Sequence, residues 1–211
     1  MAHPSVTVFW FRRDLRLEDN AGLFHALQDG APVLPLFIFD REILDDLEER
    51  QDRRVAFIHQ AQQNLDARLA EHSSGLLVRQ GRPLEVWRQL VAEFPIAAVH
   101  TNRDYEPSAL ARDREVAALL AEHGIPFHSH KDQVIFDGDE VVKEDGRPYT
   151  VYTPYMRKWL ARLTPEDLAA HPSEKLLGRM AQGVEGGVPP LAEIGFTPMA
   201  APVAGVEHRL E

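Results

Sequence analysis

The chain has 211 residues, a formal net charge of −10 and no cysteine, which excludes disulfides, thiolate metal sites and cysteine nucleophiles. An excess of acid is the wrong sign for a surface that grips nucleic acid unaided, because sequence-independent affinity comes from neutralising phosphates with Lys and Arg. The length suffices for one full core plus an appendage, and with neither a signal peptide nor an 18-residue apolar run the expectation is a cytoplasmic, membrane-free and monomeric chain.

Residues 6–10 form an apolar run of strand length that leads straight into Arg12, Arg13, Asp14, Arg16, Glu18 and Asp19. A dinucleotide-binding fold puts Gly-x-Gly-x-x-Gly at this first strand-to-helix turn so that pyrophosphate can approach the helix N-terminus. Here charged side chains fill the turn instead. A second run at 33–39 is nearly as apolar, and strands of this kind are covered on both faces, as in a parallel sheet. A helix follows in which Val55, Ile58, Gln62, Leu65 and Leu69 recur at spacings of three and four, with Asp52 as its N-cap.

Residues 76–78 read as the third strand. The next helix opens at Pro83, presents Leu84, Trp87, Leu90, Val91 and Phe94, and stops at Pro95. A fourth strand at 97–100 precedes a helix carrying Val116, Leu119 and Leu120 that ends at Gly124, and a fifth strand is read at 125–128. Alternation of this kind implies right-handed crossovers and a doubly wound α/β domain over residues 1–132, its five-stranded parallel sheet covered by helices on both faces. Turn chemistry at Asp137-Gly138, Asp145-Gly146 and Arg147-Pro148, then a helix at 152–163, closes the domain over residues 133–165. Residues 166–211, with Gly183, Gly186, Gly187, Pro189, Pro190 and Pro198, read as a C-terminal connector, a linker toward a further domain.

In open α/β sheets ligands bind beyond the carboxyl ends of the strands, where the winding reverses. The polar candidates there are Arg12, Arg13, Asp14 and Arg16, then Asp40 and Arg41, then Asn102, Arg103, Asp104, Tyr105 and Glu106, with Arg54 just beyond the second loop. Beside Trp10, Phe37, Ile38 and Phe39, an arginine flanked by carboxylates suits a flat heterocycle with polar edges, because guanidinium both stacks and donates in fixed geometry. The same residues suit an ion-pair lattice among themselves or with a neighbouring domain. His128 and His130 share one face of a strand, but no third ligand follows at a recognisable spacing, so no metal is expected. Neither a nucleophile elbow, a Walker loop nor a paired-carboxylate helix is present. No catalytic residue is assigned, and the chain alone is expected to be inactive. Trp10, Trp87 and Trp159 read as packing residues.

Four motifs occur in order: Trp10-Phe11-Arg12-Arg13-Asp14-Leu15-Arg16-Leu17 with Asp19-Asn20; Val33-Leu34-Pro35-Leu36-Phe37-Ile38-Phe39-Asp40; Asn102-Arg103-Asp104-Tyr105-Glu106-Pro107 with Arg112-Asp113; and Tyr149-Thr150-Val151-Tyr152-Thr153-Pro154-Tyr155 with Trp159-Leu160. Together they resemble the N-terminal domain of the DNA photolyase and cryptochrome family. The resemblance implies a Rossmann-like domain that holds an antenna chromophore in many members, joined by the connector to an all-helical domain, after residue 211, that binds FAD and damaged DNA. In those proteins the antenna passes excitation to reduced flavin, which donates an electron to a cyclobutane pyrimidine dimer and splits it. The implied full-length protein is a blue-light-dependent deoxyribodipyrimidine photolyase, a carbon–carbon lyase. A cryptochrome photoreceptor and a stand-alone nucleotide-binding or interaction module are the alternatives.

Where folate-binding members carry an Asn-Glu pair after the Tyr-Glu motif, this chain has Ser108 and Ala109, so a deazaflavin or FMN antenna is expected over methenyltetrahydrofolate, an empty cleft being the third option. The cofactor-binding residues that the resemblance carries over are Phe37, Ile38, Phe39, Asp40, Arg54, Phe57, Asp104 and Glu106. Arg54 and Asp104 are expected to anchor polar edges of the ring, and Phe39 and Phe57 to wall it. Arg12, Asp14 and Arg16 are expected to be structural or to face the adjoining domain.

Overall fold

Alternate residues of a strand project to opposite faces of its sheet, and in this chain both sets are apolar. The computed structural model describes residues 5–198. Five strands, β1 (Val6–Phe11), β2 (Val33–Asp40), β3 (Leu77–Gly81), β4 (Ile96–Asn102) and β5 (Phe127–His130), pair in parallel in the order β3-β2-β1-β4-β5. The helices are α1 (Ala21–Gln28), α2 (Arg41–Leu44), α3 (Arg53–Ala70), α4 (Pro83–Glu93), α5 (Pro107–Glu122) and α6 (Tyr152–Arg162). No described helix is long and apolar enough to cross a membrane.

Val6, Val8 and Trp10 of β1, with Leu34, Leu36 and Ile38 of β2, pack on Val86, Trp87 and Leu90 of α4 and on Val116 and Leu120 of α5. Phe9, Phe11, Val33, Phe37 and Phe39 point the other way, onto Leu23 and Leu27 of α1 and Val55, Leu65 and Leu69 of α3. Trp10 and Trp87 meet edge to face at 5.6 Å, an arrangement worth about 0.5–1.5 kcal/mol beyond the area buried. The α/β expectation holds, with Asp52 capping α3 through the Arg54 N–H and proline opening both α4 and α5.

Several boundaries differ from the sequence reading, for one shared reason. β2, β3 and β4 continue past their apolar runs to Asp40, Gly81 and Asn102. Their backbones still pair although the residues at these carboxyl ends are polar or glycine, and apolar periodicity does not register such residues. The short α2 was not anticipated; it starts on the Asp40 side chain, which accepts from the Glu42 N–H at 2.9 Å.

The segment read as a linker is not free of the domain along its described length. Leu177, Met180, Ile194 and Phe196 are all at most 4% exposed and join the α1/α3 side of the core. Ala181 N–H donates to the Val33 carbonyl at 2.7 Å, continuing alongside β2. Sparse apolar residues sufficed here because these four are seated in an existing core, whereas Leu168 stays 60% exposed. Residues 199–211 of that segment lie outside the described residues.

Because β4 lies on the opposite side of β1 from β2, the winding reverses at β1, and the crevice for ligands opens at the carboxyl ends of the strands around it. α1 crosses this region closely at Gly22. A Cβ there would lie 2.8 Å from the Phe9 ring and 3.2 Å from the Thr101 backbone. Gly22→Ala is therefore expected to lower the unfolding free energy by about 1–3 kcal/mol through overpacking, outweighing the gain of nearly 1 kcal/mol from better helix propensity. Urea denaturation measures it, and an unchanged or higher midpoint would show that α1 is free to lift from the sheet.

Candidate functional site

A helix N-terminus carries unpaired N–H groups that attract phosphate, and the first helix of this fold is where a dinucleotide would place it. Here the chain supplies its own acceptors. Ala21 N–H donates to Asp132 Oδ1 at 2.9 Å, Gly22 N–H to Asn102 Oδ1 at 2.7 Å, and Leu23 N–H to the N-cap Asn20 Oδ1 at 3.0 Å. Asp14 ties the two asparagines together, accepting from Asn20 Nδ2 at 3.3 Å and from Asn102 Nδ2. Burial pushes the Asp14 carboxyl above the usual carboxylate range, against the Asn102 hydrogen bond that lowers it. Arg16 closes the outer side, donating to Asp132 Oδ2 at 2.8 Å. Side chains from the end of β4, from beyond β5 and from the N-cap thus occupy the position where phosphate would sit, braced by Asp14 and Arg16 of the charged first loop.

The open space lies beside it, above the carboxyl ends of β1 and β2, as a cavity of about 330 Å³. This is within the range of small-molecule sites. Trp10, Phe37 and Phe39 of the sheet, with Leu44 and Val55 of α2 and α3, give it apolar walls; Ile43 and Ile58 stand at its rim, 57% and 37% exposed. Two guanidiniums, Arg12 and Arg112, lie 5.2 and 5.1 Å from the Trp10 ring centroid. Asp113 holds both, at 2.6 Å from Arg12 Nη1 and 3.3 Å from Arg112 Nη2. Burial pulls the Arg12 guanidinium below its usual value while Asp113 raises it; arginine stays a cation throughout. Arg12 Nε is buried without a partner.

Carboxylates ring the other edges. Asp104 is 6% exposed, accepts from the Glu106 N–H at 3.1 Å and lies 3.6 Å from Arg13 Nη1, which also reaches Glu106 at 2.9 Å. Asp40 lies 3.9 Å from Arg112 Nη1, and burial raises its carboxyl above the ordinary range. The result is a slot with an aromatic, apolar body and ionic ends. A flat, amphipathic ring system fits it; a naked polyphosphate does not.

Six residues expected at the site line this cavity: Phe37, Ile38, Phe39, Asp40, Asp104 and Glu106. Two do not. Arg54 points into solvent, its side chain 73% exposed and held by Asp52 Oδ2 at 2.5 Å, the carboxylate that caps the same helix. Phe57, 49% exposed, borders a neighbouring hollow with Arg13, Leu15 and Arg16. Both stand in the first turns of α3, where a rotation of 100° per residue separates them from the cavity-facing Val55 and Ile58. The cation that stands at the cavity in place of Arg54 is Arg112. Its signal was present in the sequence: Asp113 sits in the apolar stripe of α5 with Ala109, Val116 and Leu120, and a carboxylate there requires a cation close by.

Comparison with known proteins agrees with this architecture. The family model described as DNA photolyase matches residues 7–174. The deoxyribodipyrimidine photo-lyase of Synechococcus sp. strain PCC 6301 is 35% identical over 202 residues, covering 93% of this chain and 41% of that protein. A bacterial class III photolyase from Agrobacterium tumefaciens has the same fold with a TM-score of 0.77 at 26% identity, over 95% of this chain and 40% of the other. An archaeal photolyase from Sulfolobus tokodaii, described with two FAD molecules and an implied novel light-harvesting cofactor, gives a TM-score of 0.65 at 25% identity, over 86% and 44% of the two chains. The chain spans less than half the length of each of these relatives. A parallel sheet ordered β3-β2-β1-β4-β5, a first helix terminus filled by the chain's own side chains and a family match over most of the chain lead to one conclusion: this chain belongs to the DNA photolyase family.

Proposed function

We propose that this chain is the pigment-holding domain of a cytoplasmic, light-driven deoxyribodipyrimidine photolyase, and that the cavity above β1 and β2 seats a flavin or deazaflavin ring. The observation that carries the reading is the pairing of an aromatic slot with ionic ends, at the carboxyl edge of the sheet, next to a helix terminus already filled by protein. The Sulfolobus tokodaii relative, with its two FAD molecules, supports a flavin-type pigment over a folate. When bound, the pigment would supply absorption of light and transfer of excitation to FAD in a helical domain, through which damaged DNA would be engaged. The chain's own part is to hold the ring: Trp10, Phe37 and Phe39 exclude water from its face, Arg112 and Arg12 meet electron-rich edges, and Asp104 and Glu106 accept from ring N–H groups.

Titration of the protein with FMN, FAD and a deazaflavin, followed by ligand fluorescence, tests the pocket. Saturable quenching is expected for at least one of them, and Arg112→Ala should weaken it about tenfold, equivalent to 1.4 kcal/mol, while Glu122→Gln at the far end of α5 leaves it unchanged. Absence of saturable quenching with all three would remove the pigment from this cavity. Repair is tested separately: the full-length protein should restore ultraviolet-damaged DNA only under illumination, and repair that proceeds in darkness would refute the lyase reading whatever the pocket binds.

A further inference from the structure

The histidines of this chain are not dispersed. His100 on β4 and His128 on β5 are registered partners in the parallel pair, so both project to the face covered by α1, with ring centroids 4.7 Å apart. Asp29, the C-cap of α1, reaches down to them, its Oδ2 lying 2.6 Å from His100 Nε2. We propose that Asp29, His100 and His128 form a binding site for a zinc-like divalent transition-metal cation at the β4–β5 edge of the sheet. One donor atom from each residue lies within 4.8 Å of the other two.

The donor chemistry selects the ion. Two imidazole nitrogens and one carboxylate oxygen suit zinc and its borderline neighbours, whereas calcium and magnesium take sets of oxygens. Tetrahedral coordination with metal–nitrogen bonds of about 2.0–2.1 Å places donor atoms about 3.3 Å apart. The Asp29–His100 contact must therefore open by less than 1 Å, and His128 already offers a donor atom within 4.8 Å of both. Asp29 and His128 are the two exposed members, free to rotate, while His100 is only 3% exposed and fixed. Solvent access at the edge leaves a fourth position for water.

Two further features fit a cation there. His100 Nδ1 is engaged by His130 Nε2 at 3.0 Å, which leaves Nε2 to face the metal; an outer contact of this kind orients the ring of most metal-bound histidines. His130 is itself held between rings, stacked on His100 at 5.1 Å and on His25 at 4.7 Å. The site also sits at the C-terminal end of α1, the negative end of its dipole, where cations are favoured. A plain ion pair between Asp29 and His100 would need neither the convergence of His128 nor the orienting contact from His130. Filled, the site would clamp α1 to a four-residue edge strand.

Cobalt(II) serves as the spectroscopic probe and zinc as its competitor, both added to the metal-free 211-residue protein. One equivalent of cobalt is expected to develop the strong visible bands of four-coordinate nitrogen–oxygen ligation, zinc to displace it, and zinc to raise the melting temperature because it binds the folded state alone. Asp29→Asn and His128→Gln, both at exposed positions, should each weaken binding about tenfold or more, and His130→Gln by roughly 10–100-fold through loss of ring orientation. His123→Gln, on the opposite face of the sheet, should leave it intact. Absence of saturable binding of either metal, or affinity undiminished in both Asp29→Asn and His128→Gln, overturns the proposal.

Discussion

Asp113→Ala is expected to lower the unfolding free energy by about 3–5 kcal/mol, the usual loss when one partner of a buried ion pair is removed. The side chains of Arg12 and Asp113 are 7% and 11% exposed, so neither has water to fall back on. Without the carboxylate, Arg12 keeps only the Asn102 carbonyl, and Arg112 stands at the same Trp10 ring. Two guanidiniums beside one aromatic ring, in a partly desolvated wall, then repel without the carboxylate that both had shared. An exposed pair would behave differently, contributing about 0–1 kcal/mol. The decisive comparison is a double variant, Arg12→Met with Asp113→Leu, which removes both charges and keeps apolar volume. It should recover most of the loss in urea denaturation, since a well-packed apolar replacement of a buried pair is often neutral. A single-variant loss below about 1 kcal/mol, or a double variant as unstable as the single, would place the charge pair outside the wall's energetics.

The layered fold was legible because it rests on apolar periodicity. Alternation along β1 and β2 supplies both faces of the sheet, and the Val55–Leu69 stripe, Pro83 and Asp52 fix where two helices begin and what they bury. The carboxyl ends of the strands were less legible for the same reason. Arg79, Gln80, Thr101, Asn102 and His130 belong to strands through backbone pairing, while their described side-chain contacts are polar ones, such as Arg79 with Glu93 and Asn102 with the start of α1. The cavity was half visible: residues on the strands are fixed by period two, so Phe37, Phe39 and Asp40 fall where the motif implies. Residues on α3 depend on a helical phase of 100° per residue that a motif alone does not set, and there Arg54 and Phe57 miss the cavity while Val55 and Ile58 enter it. The histidine cluster was the least legible. His128 and His130 are neighbours in sequence, but His100 comes from the adjacent strand and Asp29 from a helix 71 residues earlier, a conjunction that only the sheet order creates.

Asp14→Ala is expected to cost about 2–4 kcal/mol while ligand affinity of the cavity stays unchanged, because Asp14 works on the closed side of the crevice. Its Oδ2 accepts from the side-chain amides of Asn20 and Asn102, which are 0% and 2% exposed. Deleting that acceptor strands two buried donors, each at about 1–3 kcal/mol, and loosens the two residues that hold the Gly22 and Leu23 N–H groups at the start of α1. Asp14→Asn keeps an acceptor in place and should cost less. It also isolates the charge. Burial and the neighbouring Asp132 raise the Asp14 carboxyl above its value of 3.8 in the unfolded chain. The folded state therefore takes up this proton first, and the wild type should gain stability relative to Asp14→Asn as the pH falls from neutral toward 3.8. Carboxylates shifted the other way, such as Asp52 at about 2, lose stability over the acid range in both proteins and cancel in the difference. Stability curves of wild type and Asp14→Asn that run parallel across that interval would mean that the carboxyl is ionised as freely in the folded chain as in the unfolded one. A cavity that loses its ligand in Asp14→Ala while the melting temperature holds would move Asp14 from the scaffold to the binding site.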